Sequence, residues 1–278
     1  MRWRVLIACG AAMIMLVAQT TDRAPAQQPE PPAAGAVPAP PMPTPARMVL
    51  VGDSLATSIG AALVRSADAQ GLFLYNGSRS GCSQIDGITT TPSGGLSPWS
   101  TGCADGNAEF QRNLINDYQP QLIIWFSSWE SVDRILGDTW VHFATFGGNP
   151  RIIGEIDAAV ARLTAGGARL VIVIPAPVPE GSTSNHDAIP RLGHLSTVLR
   201  EYARLHADRV YVAELSELLC PAGPPCPATV NGAVPRPDGM HFDDPASQGW
   251  VADWMIAKAL APVTPAAPQP GRINAGVV

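Results

Sequence analysis

Five short, unbroken apolar runs do most to restrict what this chain can fold into. They are Met48-Val49-Leu50-Val51, Leu72-Phe73-Leu74-Tyr75, Leu122-Ile123-Ile124-Trp125-Phe126, Leu170-Val171-Ile172-Val173-Ile174 and Val210-Tyr211-Val212. Runs of this length with no polar alternation fit strands buried on both faces, as in a parallel sheet. Helical patterns separate most of them. One follows the first run with Ile59, Leu63 and Val64, and others cover roughly 108–118, 152–165, 192–206 and 247–260. Strands that alternate with helices form βαβ units. The expected fold class is therefore α/β, a three-layer α/β/α sandwich around a central, mostly parallel five-stranded sheet.

That pattern occupies residues 47–260, a reasonable size for one globular domain. Residues 1–26 look like a signal peptide or an N-terminal anchor. Arg2 and Arg4 precede an uncharged apolar run from Val5 to Ala18, and Ala24-Pro25-Ala26 offers a cleavage site. The run is shorter than the roughly 20 residues that span a bilayer as a helix. Residues 27–46 form a Pro-rich linker, and 261–278 a disordered tail of similar character, because neither stretch can bury enough apolar area to offset its ordering entropy. The formal charge is −5, from 18 basic and 23 acidic residues. With no basic run, the chain lacks the footprint of a nucleic-acid protein. The protein is expected to be exported, either secreted or tethered to the cell envelope by an uncleaved anchor, and to be a monomer.

In parallel α/β sheets the functional residues gather at the carboxyl ends of the strands. Gly52-Asp53-Ser54, Asn76-Gly77-Ser78-Arg79-Ser80-Gly81 and Ser127-Ser128-Trp129 occupy those places. A serine between a strand and a helix is exposed on a sharp turn, with its own N–H aimed where an oxyanion could sit. Ser and Asp at such a position also serve as plain helix caps. Near the far end, Asp238-Gly239-Met240-His241 sets a carboxylate three residues before an imidazole, ahead of the last helix. That spacing lets the carboxylate hold Nδ1–H and leaves Nε2 as a general base. Either feature alone is common; the two together at opposite ends of one domain point to a Ser54–His241–Asp238 relay.

Gly52-Asp53-Ser54-Leu55 after an apolar strand, with Asp238-x-x-His241 before the last helix, resembles the SGNH (GDSL) hydrolase superfamily over about 49–260. The resemblance implies an SGNH/flavodoxin-like sandwich and a serine hydrolase or O-acyltransferase. It makes Ser54 the nucleophile, and it assigns the oxyanion to the N–H groups of Ser54 and Gly81. The chain departs from the family at the third block. Gly-x-Asn-Asp is expected after the third strand, and Phe126-Ser127-Ser128-Trp129-Glu130 stands there instead. Losing an oxyanion donor costs on the order of 10²–10³ in rate unless something replaces it. Ser127, Ser128 and the Trp129 indole are the candidates for a third donor or a substrate contact.

The Trp-bearing third block, Gly81-Cys82 and a Cys-bearing segment ahead of Asp238 are similar to the SGNH domains attached to membrane-embedded O-acyltransferases of bacterial cell-surface glycans. This likeness implies an O-acyl substrate, foremost O-acetyl, on an envelope polysaccharide, or a small ester, with a membrane O-acyltransferase as partner. A catalytically weak or inactive SGNH-fold glycan-binding protein is the alternative. Together with proximity in sequence, the likeness pairs Cys82 with Cys103 and Cys220 with Cys226, as suits an exported chain. No cofactor and no metal are expected, since His142, His186, His194 and His206 show no ligand spacing. The Gly/Ser/Thr-rich stretch 85–107 is long enough to cover the cleft, with Trp99 a candidate sugar platform. Arg79 is a candidate contact for an anionic group.

Overall fold

The computed structural model describes residues 47–91, 93–97, 103, 106–145, 148–179, 181–182 and 188–261. The expected signal segment, the Pro-rich linker, all but the first residue of the tail, Trp99 and His186 lie outside the described residues. In chain order the elements are β1 (Arg47–Gly52), α1 (Ser54–Ala69), β2 (Phe73–Asn76), β3 (Ile88–Thr89), α2 (Asn107–Tyr118), β4 (Leu122–Phe126), β5 (Arg134–Leu136) and β6 (Thr139–Val141). They continue with α3 (Asn149–Leu163), β7 (Arg169–Ile174), α4 (Ala188–Leu205), β8 (Val210–Glu214), α5 (Ser216–Leu219) and α6 (Pro245–Leu260).

The five apolar runs supply the central sheet, which is fully parallel in the order β2-β1-β4-β7-β8. Alternation along β1 shows why both faces must be covered. Met48 and Leu50 face a core formed with Leu55, Ile59 and Leu63 of α1 and Val251, Met255 and Ile256 of α6. Val49 and Val51 face the opposite core, with Leu114 of α2, Ile152, Ile156 and Val160 of α3, and Leu195 and Leu199 of α4. Helices thus lie on both sides of one sheet, and the fold is the expected three-layer α/β/α sandwich. Among the described residues, no helix is long and apolar enough to cross a membrane.

A second, antiparallel sheet of order β3-β5-β6 is a structural element that the sequence reading missed. Its strands are two or three residues long and carry Arg134 in their midst, so they leave no apolar run to detect. The first of them lies inside the Gly/Ser/Thr-rich stretch 85–107, where Ile88 and Thr89 pair with Ile135 and Arg134. Two disulfides, Cys82–Cys103 and Cys220–Cys226, close loops near the carboxyl edge of the central sheet.

That edge depends on a close approach at Gly52. The residue lies opposite Phe126 in the register of β1 and β4 and has φ 151°. A Cβ there would overlap the Phe126 carbonyl oxygen and sit 2.7 Å from Ala56 Cβ. Neither neighbour is a flexible side-chain end, so the backbone would have to separate. Gly52→Ala is expected to destabilise the protein by about 2 kcal/mol or more, through strain at a special backbone position. Urea unfolding measures this; a loss below about 0.5 kcal/mol would show that the two strands can part without penalty.

Candidate active site

Ser54 opens α1 directly after β1. Asp53 caps that helix, its Oδ1 accepting the Leu55 N–H at 2.8 Å. Across the site, the Asp238–His241 loop folds around its own carboxylate. Asp238 Oδ1 accepts the N–H groups of Met240 and His241, both at 2.8 Å, while Oδ2 lies 2.6 Å from His241 Nδ1. Gly239, with φ 88°, makes this tight return possible. His241 Nε2 is 2.8 Å from Ser54 Oγ. A carboxylate can only accept, so Nδ1 carries the ring proton and the Ser54 hydroxyl donates to Nε2. Burial pushes the Asp238 carboxyl up, but the bonds from the His241 ring and the His241 and Met240 N–H groups outweigh it and leave Asp238 below its ordinary value. The loop is tied down on both sides. Phe242 N–H donates to Ser58 Oγ of α1 at 3.0 Å, and the buried Arg236 donates to the carbonyls of Ala176 and Pro177 just beyond β7.

The loop after β2 docks beside Ser54. Gly77 N–H donates to Leu50 O and Arg79 N–H to Gly52 O, each at 2.9 Å, which lays residues 77–81 over the end of β1. Gly81 follows with φ 73°, a conformation suited to glycine. Among the described residues, no protein group accepts the N–H of Ser54 or of Gly81. Arg79 is turned away from an open binding role: it donates to Asn107 Oδ1 at 2.7 Å and lies 4.0 Å over the Phe110 ring of α2.

The third block forms a buried polar hub. Asp53 is 0% exposed, and its Oδ2 accepts the Ser128 N–H at 2.8 Å, the Ser128 hydroxyl at 2.8 Å and the Trp129 N–H at 2.9 Å. Burial raises its carboxyl above the ordinary range, and these donors pull it back. Glu130, equally buried, accepts the Gln84 N–H at 2.7 Å and the Ser83 hydroxyl at 3.3 Å. Burial and the nearby Asp53 charge raise its carboxyl, against which the Ser127 hydroxyl works. Arg134, also 0% exposed, gathers the carbonyls of Ile85, Asp86, Trp129, Glu130 and Val132, and burial brings its guanidinium down to about 10. The Ser128 hydroxyl is therefore engaged by Asp53, while Ser127 Oγ accepts the Trp129 N–H at 3.3 Å. The Trp129 indole N–H has no protein acceptor among the described residues.

Sequence reasoning missed Asp53 as a bridge, and it missed Glu130 and Arg134 altogether. The only available signal was a charged pair, Glu130 and Arg134, close behind an apolar strand. Among the described residues one group has metal-ligand proximity: Asp238, His241 and Asp243, with ligand atoms within 4.8 Å. Both ring nitrogens of His241 are engaged by Asp238 and Ser54, so a cation there would have to break that relay. The other described histidines face Asp133 (His142), Asn149 (His194) and Asp157 (His206), at separate places in the fold.

The chain matches the family described as SGNH domain (fused to AT3 domains) over residues 20–243. It belongs to that family and is an enzyme of the SGNH type, a serine hydrolase or O-acyltransferase. No curated protein matches it in sequence. Among solved structures it is similar to the periplasmic domain of a lipopolysaccharide acetyltransferase from Salmonella ser. Paratyphi A. The identity is 13% and the TM-score 0.48, covering 77% of this chain and 82% of that one. The C-terminal catalytic domain of a Streptococcus pneumoniae peptidoglycan O-acetyltransferase gives 15% and 0.44, with coverage of 77% and 92%. A GDSL-like lipase from Bacteroides thetaiotaomicron gives 14% and 0.46, with coverage of 80% and 91%.

The hub yields a prediction. Asn at position 53 keeps the shape of Asp but replaces one acceptor oxygen with a donor, which must then face either Leu55 N–H or the Ser128 and Trp129 donors. Asp53→Asn is expected to cost about 2 kcal/mol or more in chemical unfolding. Stability within about 0.5 kcal/mol of wild type would mean that Asp53 is held as the neutral acid.

Proposed function

We propose that this protein is an exported serine esterase or O-acyltransferase that acts on O-acyl groups, foremost O-acetyl, of a cell-envelope polysaccharide. The observation that carries the reading is the continuous hydrogen-bonded line from Ser54 Oγ through His241 to Asp238, at 2.8 and 2.6 Å. In the proposed reaction, the Ser54 hydroxyl passes its proton to His241 Nε2 while Oγ bonds to the ester carbonyl carbon. The N–H groups of Ser54 and Gly81 hold the developing oxyanion. The intermediate collapses by breaking the ester C–O bond, and His241 returns the proton to the departing alcohol. Water, or a sugar hydroxyl, then attacks the acyl carbon as His241 takes its proton, and the acyl C–Oγ bond breaks as His241 returns that proton to Ser54 Oγ. Asp238 keeps its charge throughout and stabilises the imidazolium.

The apolar, Arg-headed segment at 1–26 and the two disulfides support export into an oxidising compartment. The fusion to AT3 domains in the family's description supports a membrane O-acyltransferase as acyl supplier or partner. One observation favours the second reading, a catalytically weak SGNH-fold protein that chiefly binds glycan: the Ser128 hydroxyl at the third block is held by Asp53, and the segment carries no asparagine. The Trp129 indole N–H, which has no protein acceptor among the described residues, is the side-chain donor tested below.

Two experiments test these assignments. Ser54→Ala should retain its fold while losing aryl-ester hydrolysis and fluorophosphonate labelling, with turnover down by several orders of magnitude. Activity within about tenfold of wild type would exclude Ser54 as nucleophile, and a wild type that neither labels nor turns over ester would favour the binding protein. Trp129→Phe keeps the aromatic face and removes the N–H. A fall in kcat of about 10² or more is expected if the indole supplies the third donor; a change confined to KM would assign it to substrate stacking instead.

A further inference from the structure

We infer that a small apolar pocket at the carboxyl edge of the central sheet receives the acyl group carried by Ser54 and limits it to about two carbons, and that Met240 sets this limit. The inference rests on the proposed role of Ser54 as acyl acceptor. The pocket has a volume of about 10 Å³. Its walls are chain neighbours of the two hydrogen-bonded residues: Leu55 follows Ser54, and Met240 and Phe242 flank His241. Phe126, at the end of β4, Pro175 and Ala176, just past β7, and Leu215, just past β8, complete the apolar part.

Direction, polarity and size each support an acyl group as occupant. In the sheet order β2-β1-β4-β7-β8, Gly81 follows β2 on one side of Ser54, whereas Phe126 and Leu215 lie on the other. A carbonyl with its oxygen toward the Ser54 and Gly81 N–H groups has two further substituents, and whichever turns toward the β4 and β8 side can reach the pocket. A sugar in an apolar hole would lose its hydroxyl hydrogen bonds, which is costly, whereas an alkyl group loses nothing. The polar wall is Arg236, 6% exposed, and two of its nitrogens are already engaged by the carbonyls of Ala176 and Pro177. The volume is that of one water-sized group, about the room a methyl needs, and far below the roughly 300–1,000 Å³ of ordinary ligand pockets.

The pocket cannot widen easily. Leu55, Phe126, Leu215 and Phe242 are at most 2% exposed and belong to the packed core on the α1–α6 face, where close packing resists extra methylenes. Met240 differs: it is half-buried and packs against that core without being part of it. An unbranched thioether side chain is the adaptable element in such a wall.

The test measures kcat/KM on 4-nitrophenyl acetate, propionate, butyrate and hexanoate for the wild type and for Met240→Ala. For the wild type, acetate should exceed butyrate by about tenfold or more, since each misfit methylene in an apolar pocket is worth about 10–200-fold. Met240→Ala should raise the butyrate-to-acetate ratio by about tenfold. A flat wild-type profile overturns the inference whatever the variant does, and so does a Met240→Ala profile that matches the wild type. Either result with Ser54 still labelled by fluorophosphonate leaves the proposed function standing. Absence of turnover and of labelling together removes both.

Discussion

The Asp53 carboxylate is the point from which the whole carboxyl edge of the sheet takes its geometry. One oxygen caps α1 through Leu55, and the other binds Ser128 and Trp129 at the end of β4. The Ser54 turn and the third-block turn are thereby fixed to a common atom group, at the pair of strands that Gly52 brings close. Four donors on a fully buried carboxylate offset the penalty of removing it from water. Without them the serine turn and the third-block turn would be free to shift relative to each other. Positioning of that kind matters because displacements of about 1 Å can lower rate by about 10².

The same hub extends toward the proposed oxyanion loop. Glu130 accepts the Gln84 N–H and the Ser83 hydroxyl, so the chain just after Gly81 and Cys82 is tied to the third block. Arg134 collects carbonyls from both segments and places a positive charge near Glu130. Burying so many ionisable groups is a poor way to gain stability, since desolvation consumes much of the attraction. What it provides is one arrangement of three irregular loops. The Cys82–Cys103 disulfide adds a covalent limit on the loop that holds Gly81.

How much of this was legible in the sequence depended on range. The five central strands were legible because burial on both faces leaves runs such as Leu170–Ile174 with no polar residue. The proposed relay was legible because Asp238 and His241 are neighbours in the chain and Ser54 sits directly behind a strand. Arg134, Glu130 and Asp53 carry no such local sign. Asp53 meets Ser128 and Trp129 75 and 76 residues away, Glu130 meets Gln84 at 46, and Arg134 meets Asp86 and Ile85 at 48 and 49, and nothing in the local pattern points to these partners. The antiparallel sheet was missed for a related reason: two-residue strands have no period. The small pocket is likewise assembled from side chains after β1, at β4, past β8 and before α6, and pattern cannot announce such a set.

Hydrolysis and acyl transfer would use the same serine, imidazole and oxyanion donors, so the distinction between them lies in access. The side chains of His241 and Asp238 are 32% and 45% exposed, which leaves the proposed base open to solvent. An acyl group held on Ser54 in this open arrangement would meet bulk water from the same direction as any acceptor. For a sugar hydroxyl to win, it must be bound and oriented, because positioned groups reach effective molarities of about 10⁵–10⁸ M and can then outrun water. The small apolar pocket would hold the acyl chain but offers a sugar no hydrogen bonds. Acceptor binding must therefore come from the surface above His241 and Trp129, or from a partner that covers it. An isolated domain would then behave chiefly as an esterase, and transfer would depend on how completely that surface is occupied.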